Sequence, residues 1–592
     1  MITAMKKYTF LVFHRDYEAF LTELREAGVV HVTQRAAGLA EDADLQALIA
    51  RRAELQHILK QGAPDQLIQE KNDLEQRIVA TQKEQARVAI WGEFSSKTVA
   101  QLSEAGYTLH YYSCPKSKFN AEWGIQITEN GGLIYFVTVG DDSAVTEDAT
   151  EIILTKSAAE LQADLDGLNG LLVAQKARIE AWALANTDQL KDELKSVEQQ
   201  IDWKEVTLNT ESGADGALCI LEGFCPVENT AALDERLNNL PAALYYESED
   251  PKPEDATPIK LHNNWFVRLF EPLTGMYGWP NYNEFDPTPI LGPFFLLFFS
   301  LCIGDAGYGL LLILVGFLIH KGKLKIEMFD GMGPIIMALG VGSAVVGYLM
   351  GGFFGINIYQ AEWFPAWAKV VMFNNLGQGH TGKFMVAGQP YDVMMILAIV
   401  IGVVHICLAM VIKAIAFTKR FGFKENVSTW GWLLLILGGL ITAILAGVEL
   451  LSPEVTNIVL ICIGAISALG IYIFNKPGRN PLINIGAGLW DTYGMVTGLL
   501  GDVLSYIRLY ALGLAGGMLG MAFNQLGEMV LGETPNVGTW VGFILIVTFG
   551  HVLNLLMACL GAFVHPLRLT FVEYFKNSGY EGSGKLYKPF KK

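Results

Sequence analysis

The stretch LLGDVLSYIRLYALGLAGG, residues 499–517, places one arginine, Arg508, inside an apolar helical pattern that is long enough to cross a bilayer. A second stretch, FGHVLNLLMACLGAFVHPLRLTFVEYF at residues 549–575, repeats the arrangement with Arg568. An ionised side chain is costly inside a membrane, so an arginine at such depth indicates an ion pathway or a paired carboxylate. The two stretches therefore predict a polytopic membrane protein that moves ions.

The composition supports this prediction and divides the chain in two. Hydrophobic residues make up 51% of the sequence and charged residues 17%, which is far from a soluble average. Residues 1–260 nevertheless have the pattern of a soluble polypeptide, and apolar runs of spanning length begin near Pro289. The first residues lack a signal-peptide pattern, so we expect the N-terminal half in the cytoplasm.

Charge and cysteine usage exclude several classes of function. A net charge of -17 argues against a nucleic-acid partner, which would need a basic surface. The seven cysteines are scattered without a CxxC pair or a nearby histidine at ligand spacing. We therefore expect no disulfide framework, no metal site and no cofactor.

The soluble half is predicted to be an α+β strut, with two small α/β lobes joined by an antiparallel coiled coil. Residues 6–13 and 29–33 have strand patterns around a helix at 16–27. Leucines at four-and-three spacing then predict two long helical arms, with a break at Gly62 and Pro64. A self-contained helical domain with amphipathic faces is the alternative. The predicted domains are a cytoplasmic domain 1–260 (proximal lobe 1–40 and 211–250, arms 42–90 and 158–210, distal lobe 90–155), a linker 261–288, a membrane domain 289–577 and a cytoplasmic tail 578–592.

The membrane half is predicted to be all-α with about eight helices, the last two long and tilted. The candidate spans are 333–357, 391–417, 430–450, 454–474, about 486–531 and 538–576, preceded by the apolar run 290–319. Lysines and arginines in loops 418–429 and 475–482 and in the tail place both termini in the cytoplasm. An even number of crossings is then needed in 290–320, so we expect a hairpin near Gly304 and Asp305, with a re-entrant pair as the alternative.

An arginine suits an ion path because its pKa is too high for it to lose its proton. It can attract an ionised carboxylate on a partner helix, while water-lined access on each side of the arginine lets that carboxylate load and unload. An arginine that reaches the head groups or pairs inside the bundle is the alternative. The candidates for the lining of two half-channels are Ser505, Asp502, Gln525, Glu528, His551, Asn554, His565, Glu573 and Asp305. We interpret His405 as a hydrogen-bonded core histidine.

Four runs of sequence carry a family resemblance: MKKYTFLVFHRDYEAFLTELREAGVVHV, MYGWPNYNEFDPTPILGPFFLLFFSLCIGDAGYG, YIRLYALGLA and GAFVHPLRLTFVEYF. Together they resemble the membrane stator subunit, called subunit I or a, of rotary V/A-type ATPases. The resemblance implies that Arg508 and Arg568 face the carboxylates of a rotating proteolipid ring. It also implies that the cytoplasmic strut binds E/G-type peripheral-stalk subunits and a C/d-type central-stalk cap subunit, in a prokaryotic plasma membrane.

Two other classes of function remain open. A stand-alone secondary ion transporter should show internal repeats, and none is evident between the membrane segments. A membrane-anchored scaffold would explain the coiled coil but not the arginines. The chain has no GxxxxGK[ST] phosphate-binding loop, so any ATP would be handled by other subunits. The sequence does not distinguish a proton from a sodium ion.

Overall fold

The computed structural model describes residues 2–33, 42–120, 122–140, 145, 149–154, 156–213, 217–240, 243–252, 254–323, 331–362, 364–372, 383–386, 389–447, 450–474, 481–532 and 535–591. The chain forms two compact units, Met1–Thr33 with Gly213–Lys591 and, separately, Gln34–Ser212. Of the predicted loop at 475–482, residues 475–480, with Lys476 and Arg479, lie outside the described residues.

The secondary structure is mixed in the soluble half and mainly helical in the membrane half, where two short two-stranded sheets depart from the all-α prediction. The helices are α1 (Tyr17–Ala27), α2 (Ala43–Gln61), α3 (Asp65–Ala89), α4 (Ser96–Glu104), α5 (Ala158–Leu208), α6 (Thr230–Asn238), α7 (Trp265–Arg268), α8 (Glu271–Tyr277), α9 (Thr288–Ile303), α10 (Ala306–His320), α11 (Gly333–Met350), α12 (Ala366–Lys369), α13 (Val393–Phe421), α14 (Val427–Leu433), α15 (Gly439–Gly447), α16 (Pro453–Ala468), α17 (Pro481–Ser505), α18 (Ile507–Leu531), α19 (Val537–Arg568) and α20 (Phe575–Ser578). The strands are β1 (Met5–Phe13), β2 (His31–Val32), β3 (Leu109–Pro115), β4 (Ile125–Asn130), β5 (Leu133–Val139), β6 (Thr150–Glu151), β7 (Glu211–Gly213), β8 (Leu218–Pro226), β9 (Leu244–Glu249), β10 (Gly352–Phe353), β11 (Ile356–Asn357), β12 (Lys383–Val386) and β13 (Gln389–Asp392).

The N-terminal lobe is an antiparallel sheet in the order β2-β8-β1-β9, covered by α1. Alternate residues of β1 point into its core, where Tyr8, Phe10 and Val12 are buried. Helix α1 contributes Phe20 to the same core and ends at a left-handed glycine, as is common for helix ends. The predicted strands and helix at the start of the chain are therefore present.

The unit 34–212 contains the long helices and a second sheet. Helices α2 and α3 pack antiparallel along α5, since Leu45 and Leu55 share a hydrophobic cluster with Val197 and Ile201, whereas Ile78 shares one with Leu165. The predicted break between the first two helices lies at Gly62, which adopts a left-handed conformation. The sheet has the order β4-β5-β3-β6. The shape of this unit as an extended strut stays a prediction.

Six helical segments among the described residues are long and apolar enough to cross a membrane, and α9 and α10 are shorter apolar helices. The helix break predicted near Gly304 and Asp305 is present: α9 ends at Ile303, Gly304 is left-handed, and Asp305 caps α10. Helix α10 packs closely along α11, where a Cβ on Gly309 would lie 2.3 Å from the backbone nitrogen of Ala344. The crossing of the membrane by the two short limbs stays a prediction, as does the total of eight helices.

The first of the two long C-terminal helices is interrupted where the sequence predicted continuity. The span predicted at 486–531 divides at Tyr506 into α17 and α18. The backbone N–H of Tyr506 donates to the Val503 carbonyl, and the N–H of Leu509 donates to the Tyr506 carbonyl, so the turn is tightened to i→i+3 bonds. The second long helix continues from α19 through a π-helical segment, Leu569–Tyr574, into α20.

The C-terminal tail, residues 584–590, packs against the N-terminal lobe. The N–H of Phe590 donates to the Val30 carbonyl at 2.8 Å, and the Tyr587 hydroxyl donates to the Val29 carbonyl. The Phe590 ring is buried, with the Arg25 guanidinium 5.9 Å from its centre. The tail also forms a parallel bridge between Ile259 and Leu586. It therefore joins the lobe to the segment that leads into the membrane helices.

Candidate ion-translocation site

Arg508 lies at the start of α18, two residues after the break at Tyr506. Its helix is held against α9: Leu509 is fully buried, and a Cβ on Gly513 would lie 2.6 Å from the Leu301 carbonyl oxygen. The guanidinium is partly buried and lies near Cys302 on α9. Its Nη1 is buried without a hydrogen-bond partner among the described residues. A buried charge is stable only when it is paired. Among the described residues this guanidinium has no such partner, so its counter-charge has to come from elsewhere.

Arg568 is the last residue of α19 and is exposed. The π-helical segment begins at the next residue, and the Thr570 hydroxyl donates to the Pro566 carbonyl at 3.0 Å. Segments of this kind are frequent at functional sites, because they turn side chains away from the regular helix face. Both arginines thus lie next to a local irregularity of their helix.

Neither arginine forms an ion pair with a described carboxylate, although Glu573 lies within electrostatic range of Arg568. Lys576 forms an ion pair with Asp502 at 3.5 Å, and neither arginine belongs to it. His565 lies within electrostatic range of both guanidinium groups, and its Nδ1 is buried with no hydrogen-bond partner in the described part of the chain. The alternative of an arginine paired inside the bundle therefore has a candidate partner for Arg568, namely Glu573, and none for Arg508 among the described residues.

One polar cluster lies beyond the arginines, where α10, α18 and α19 meet; we call it the Asp305 cluster. The Tyr308 hydroxyl and the Nδ1 of His551 are 2.7 Å apart, and the His551 Nε2 lies 2.9 Å from the Asn524 Oδ1. The Asn554 amide donates to the Tyr308 hydroxyl at 2.9 Å. A cavity of about 470 Å³ is lined by His551 and Asn524 together with apolar side chains. His551 and Asn554, predicted from the sequence, are thus joined by a tyrosine that the sequence analysis missed.

Asp305 lies next to this cluster, and its carboxylate is hydrogen-bonded to backbone N–H groups. Its oxygens accept from the N–H groups of Tyr308 at 3.1 Å, Phe354 at 2.9 Å and Gly355 at 2.9 Å. The Asn524 amide in turn donates to the Phe354 carbonyl at 2.8 Å. Phe354 has a φ of 48°, a left-handed conformation that is uncommon for a side chain of this size. The carboxylate therefore anchors the loop that carries Phe354.

A second polar cluster lies on the other side of the arginines, and we call it the Asp502 cluster. Asp502 is buried and accepts from the Asn577 amide at 2.8 Å. Glu573 is 2% exposed, and one of its carboxylate oxygens has no hydrogen-bond partner among the described residues. The Ser505 hydroxyl donates to the Gly501 carbonyl at 2.9 Å. A cavity of about 400 Å³ adjoins this cluster and is lined by Asp502 and by residues including Lys413, Trp432, Trp490 and Asp491.

Two predicted half-channel residues join neither cluster. Gln525 and Glu528 are exposed on α18, and no contact among the described residues ties them to Asp305 or to Asp502. Gly516 and Gly517 of the same helix also face open space, because an added Cβ would meet nothing within 4 Å among the described residues. Large apolar side chains are exposed around this surface, including Leu514, Met518, Leu553, Leu556, Met557 and Leu560. The surface thus combines small and apolar residues, which allow another helix or lipid to approach closely.

Comparison with known proteins identifies the family. The sequence profile of the V-type ATPase 116kDa subunit family matches residues 146–380 and 491–592, and the second of these ranges contains both arginines. The A-type ATP synthase subunit I of Methanocaldococcus jannaschii is 30% identical over 468 residues, which cover 74% of this chain and 63% of that protein. The V-type ATP synthase subunit I of Borreliella burgdorferi is 26% identical over 635 residues, and the match covers 100% of both chains. This multi-pass membrane protein belongs to the V-type ATPase 116kDa subunit family.

Proposed function

We propose that this chain is the non-catalytic stator subunit of a rotary V/A-type ATPase, and that Arg508 and Arg568 separate two half-channels facing a proteolipid ring. The observation that carries the proposal is the partly buried guanidinium of Arg508, whose Nη1 has no partner among the described residues. A cation left without a counter-charge beside an open, apolar helix surface fits a carboxylate that arrives on another subunit.

The order of polar groups along the helices supports two half-channels. On α18, Asn524 follows Arg508 by sixteen residues, which is about 24 Å of helix at about 1.5 Å per residue. Asp502 precedes Arg508 by six residues, or about 9 Å. On α19 and its continuation the order is reversed, with Asn554 before Arg568 and Asn577 after it. The two polar clusters thus lie on opposite sides of the arginines along both helices.

This order explains how the arginines would direct an ion. A ring carboxylate that reaches Arg508 gives up its bound proton or sodium ion, because the fixed positive charge stabilises the ionised form. The arginine itself cannot relay a proton. The released ion can leave only through the cluster on one side, and the carboxylate is reloaded from the other side. Direct leakage between the Asp305 cluster and the Asp502 cluster is blocked by the same charge.

The soluble half would connect the membrane site to the rest of the complex. We propose that the strut binds E/G-type peripheral-stalk subunits and a C/d-type central-stalk cap subunit, with both termini in the cytoplasm of a prokaryotic cell. A cavity of about 450 Å³ on the second sheet supports a docking role, because it is lined by Ile125, Ile127 and Leu102, which are exposed apolar residues. ATP hydrolysis or synthesis would take place on other subunits and be coupled to H+ or Na+ transport here.

The test replaces Arg508 in the assembled complex. Arg508→Ala should abolish ATP-driven ion uptake in sealed vesicles while the subunit composition stays intact. Arg420→Ala, which removes another arginine from a membrane helix, is the matched control and should leave uptake unchanged. Normal uptake by the Arg508→Ala complex would remove the central assignment.

A stand-alone secondary ion transporter is the alternative function, and purification separates the two. In mild detergent a stator subunit should be recovered with a multi-subunit ATPase, whereas a transporter should be recovered alone. Deletion of residues 90–155 should in addition release the soluble ATPase sector from membranes. If native gels show that the sector stays attached, the strut does not hold it.

A further inference from the structure

His405 lies in the middle of α13 and is fully buried, with contacts to both arginine-bearing helices. Its Nδ1 is 2.8 Å from the hydroxyl of Tyr506. Its ring stacks on Tyr574, with the ring centres 4.5 Å apart and the planes 4° from parallel. On the other face it stacks on Phe294 at 4.2 Å. The imidazole is thus held by rings on both faces and by a hydrogen bond at its edge.

Tyr506 is the residue at which the first arginine helix is interrupted. Its ring packs against α13 at Gly402, where an added Cβ would lie 2.4 Å from the ring. The hydroxyl of this fully buried tyrosine is bonded to His405. Arg508 follows two residues later, so the direction of its side chain depends on how this turn is held.

Tyr574 closes the π-helical segment that begins directly after Arg568. It is fully buried, and its hydroxyl has no hydrogen-bond partner among the described residues. Its contact with His405 is therefore made by the ring face and not by the hydroxyl. The same imidazole consequently touches the irregular turn beside each of the two arginines.

We infer that His405 is a positioning residue that fixes the turns at Tyr506 and Tyr574 and thereby aims Arg508 and Arg568 at one ion path. The inference rests on the proposed function. Without this contact, each arginine would be oriented by its own helix alone. A shared contact on α13 makes their orientations depend on each other, although neither arginine touches His405.

The experiment measures the ratio of ions pumped to ATP hydrolysed in the assembled complex reconstituted into vesicles. His405→Phe keeps an aromatic ring in the stack but removes the bond to Tyr506, and Tyr506→Phe removes the same bond from the other side. Each should lower the ratio, by at most about fivefold, because one buried hydrogen bond shifts an orientation equilibrium by about that factor. The double variant should be no worse than either single variant, since both changes remove one bond.

Tyr574→Phe is the matched control, because it makes the same chemical change on the other side of the imidazole and removes a hydroxyl with no described partner. Its coupling ratio should equal that of the unchanged protein. All variants should keep the melting temperature and the subunit composition of the unchanged protein. A general packing defect would lower the melting temperature or cause the loss of subunits.

The outcomes separate the inference from the proposed function. An unchanged ratio in His405→Phe and Tyr506→Phe, additive losses in the double variant, or an equal loss in Tyr574→Phe would each overturn the positioning role. If Arg508→Ala abolishes pumping in the same vesicles, the proposed function stands even when the positioning role fails. If Arg508→Ala pumps normally, the proposed function fails first.

Discussion

Replacement of Asp305 tests whether this buried carboxylate anchors a loop or carries an ion. In the structure it is 3% exposed and accepts three backbone N–H groups, from Tyr308, Phe354 and Gly355. If each bond contributes about 1 kcal/mol net, Asp305→Ala should destabilise the loop by about 3 kcal/mol. That energy corresponds to roughly a hundredfold increase in local opening, because about 1.4 kcal/mol is a factor of ten.

Asp305→Asn should have a smaller effect, because its carbonyl oxygen can replace Oδ1 and keep the bonds to Tyr308 and Phe354. Its amide then faces the N–H of Gly355, so one bond is lost and opening should rise roughly fivefold. The assay is hydrogen–deuterium exchange of the amides in residues 352–357, measured on the purified complex. The exposed carboxylate of Glu528 offers a control, and Glu528→Gln should leave this exchange unchanged.

The ion-transport measurement completes the test of Asp305. If the loop exchanges at the normal rate in Asp305→Ala while ion transport is lost, the carboxylate acts in the pathway and the anchoring argument is refuted. If exchange increases and Asp305→Asn retains transport, the carboxylate is an anchor. The sequence predicted Asp305 to be a half-channel residue, and its three backbone hydrogen bonds favour the anchoring role.

Three further predictions concern the tail, its pH dependence and a helix contact. Phe590→Ala should free the C-terminal tail, because removal of a buried phenylalanine costs about 3 kcal/mol, and limited proteolysis of the tail should accelerate. Burial lowers the pKa of His31 below its ordinary 6.5, and the Nδ1 of the neutral ring accepts the Lys588 N–H at 3.0 Å. The neutral ring therefore stabilises the tail above about pH 6.5, and this stabilisation is lost as the pH falls. Exchange of the Lys588 amide, corrected for its intrinsic pH dependence, should therefore accelerate on acidification; an unchanged corrected rate would contradict the role of the ring. Gly309→Ala should lower the melting temperature, because the added Cβ meets the α11 backbone, whereas Gly464→Ala, which meets nothing within 4 Å, should leave it unchanged or higher.

The elements that the sequence predicted well are those encoded in local periodicity. The seam positions Leu45 and Leu55 pack against α5 because a four-and-three spacing places them on one face of a helix. The break at Gly304 and Asp305 was predictable because a glycine can end one helix and an aspartate can cap the next. The arginines could be singled out because an ionised residue is rare in an apolar helix.

The contacts that the sequence did not predict join residues far apart in the chain. His405 and Tyr506 are separated by 101 positions, and no local pattern pairs them. Tyr308 could have been suspected as a polar side chain on a short apolar helix, but its partners lie 243 and 246 residues away. The break at Tyr506 has no glycine or proline to mark it, since it is imposed by packing against α13. Helical periodicity alone therefore gave one continuous span.

The attachment of the C-terminal tail has a consequence for biosynthesis. Val30 leaves the ribosome long before Phe590, its hydrogen-bond partner, and all the membrane helices are translated in between. The N-terminal lobe is therefore made first, and its site for Phe590 stays empty while those helices are inserted. Nascent chains arrested before residue 585 should keep that site open to chaperones and proteases, and chains that extend past Phe590 should close it. The state of this site, open or closed, would thus tell chaperones and proteases in the cytoplasm whether all the membrane helices have been synthesised.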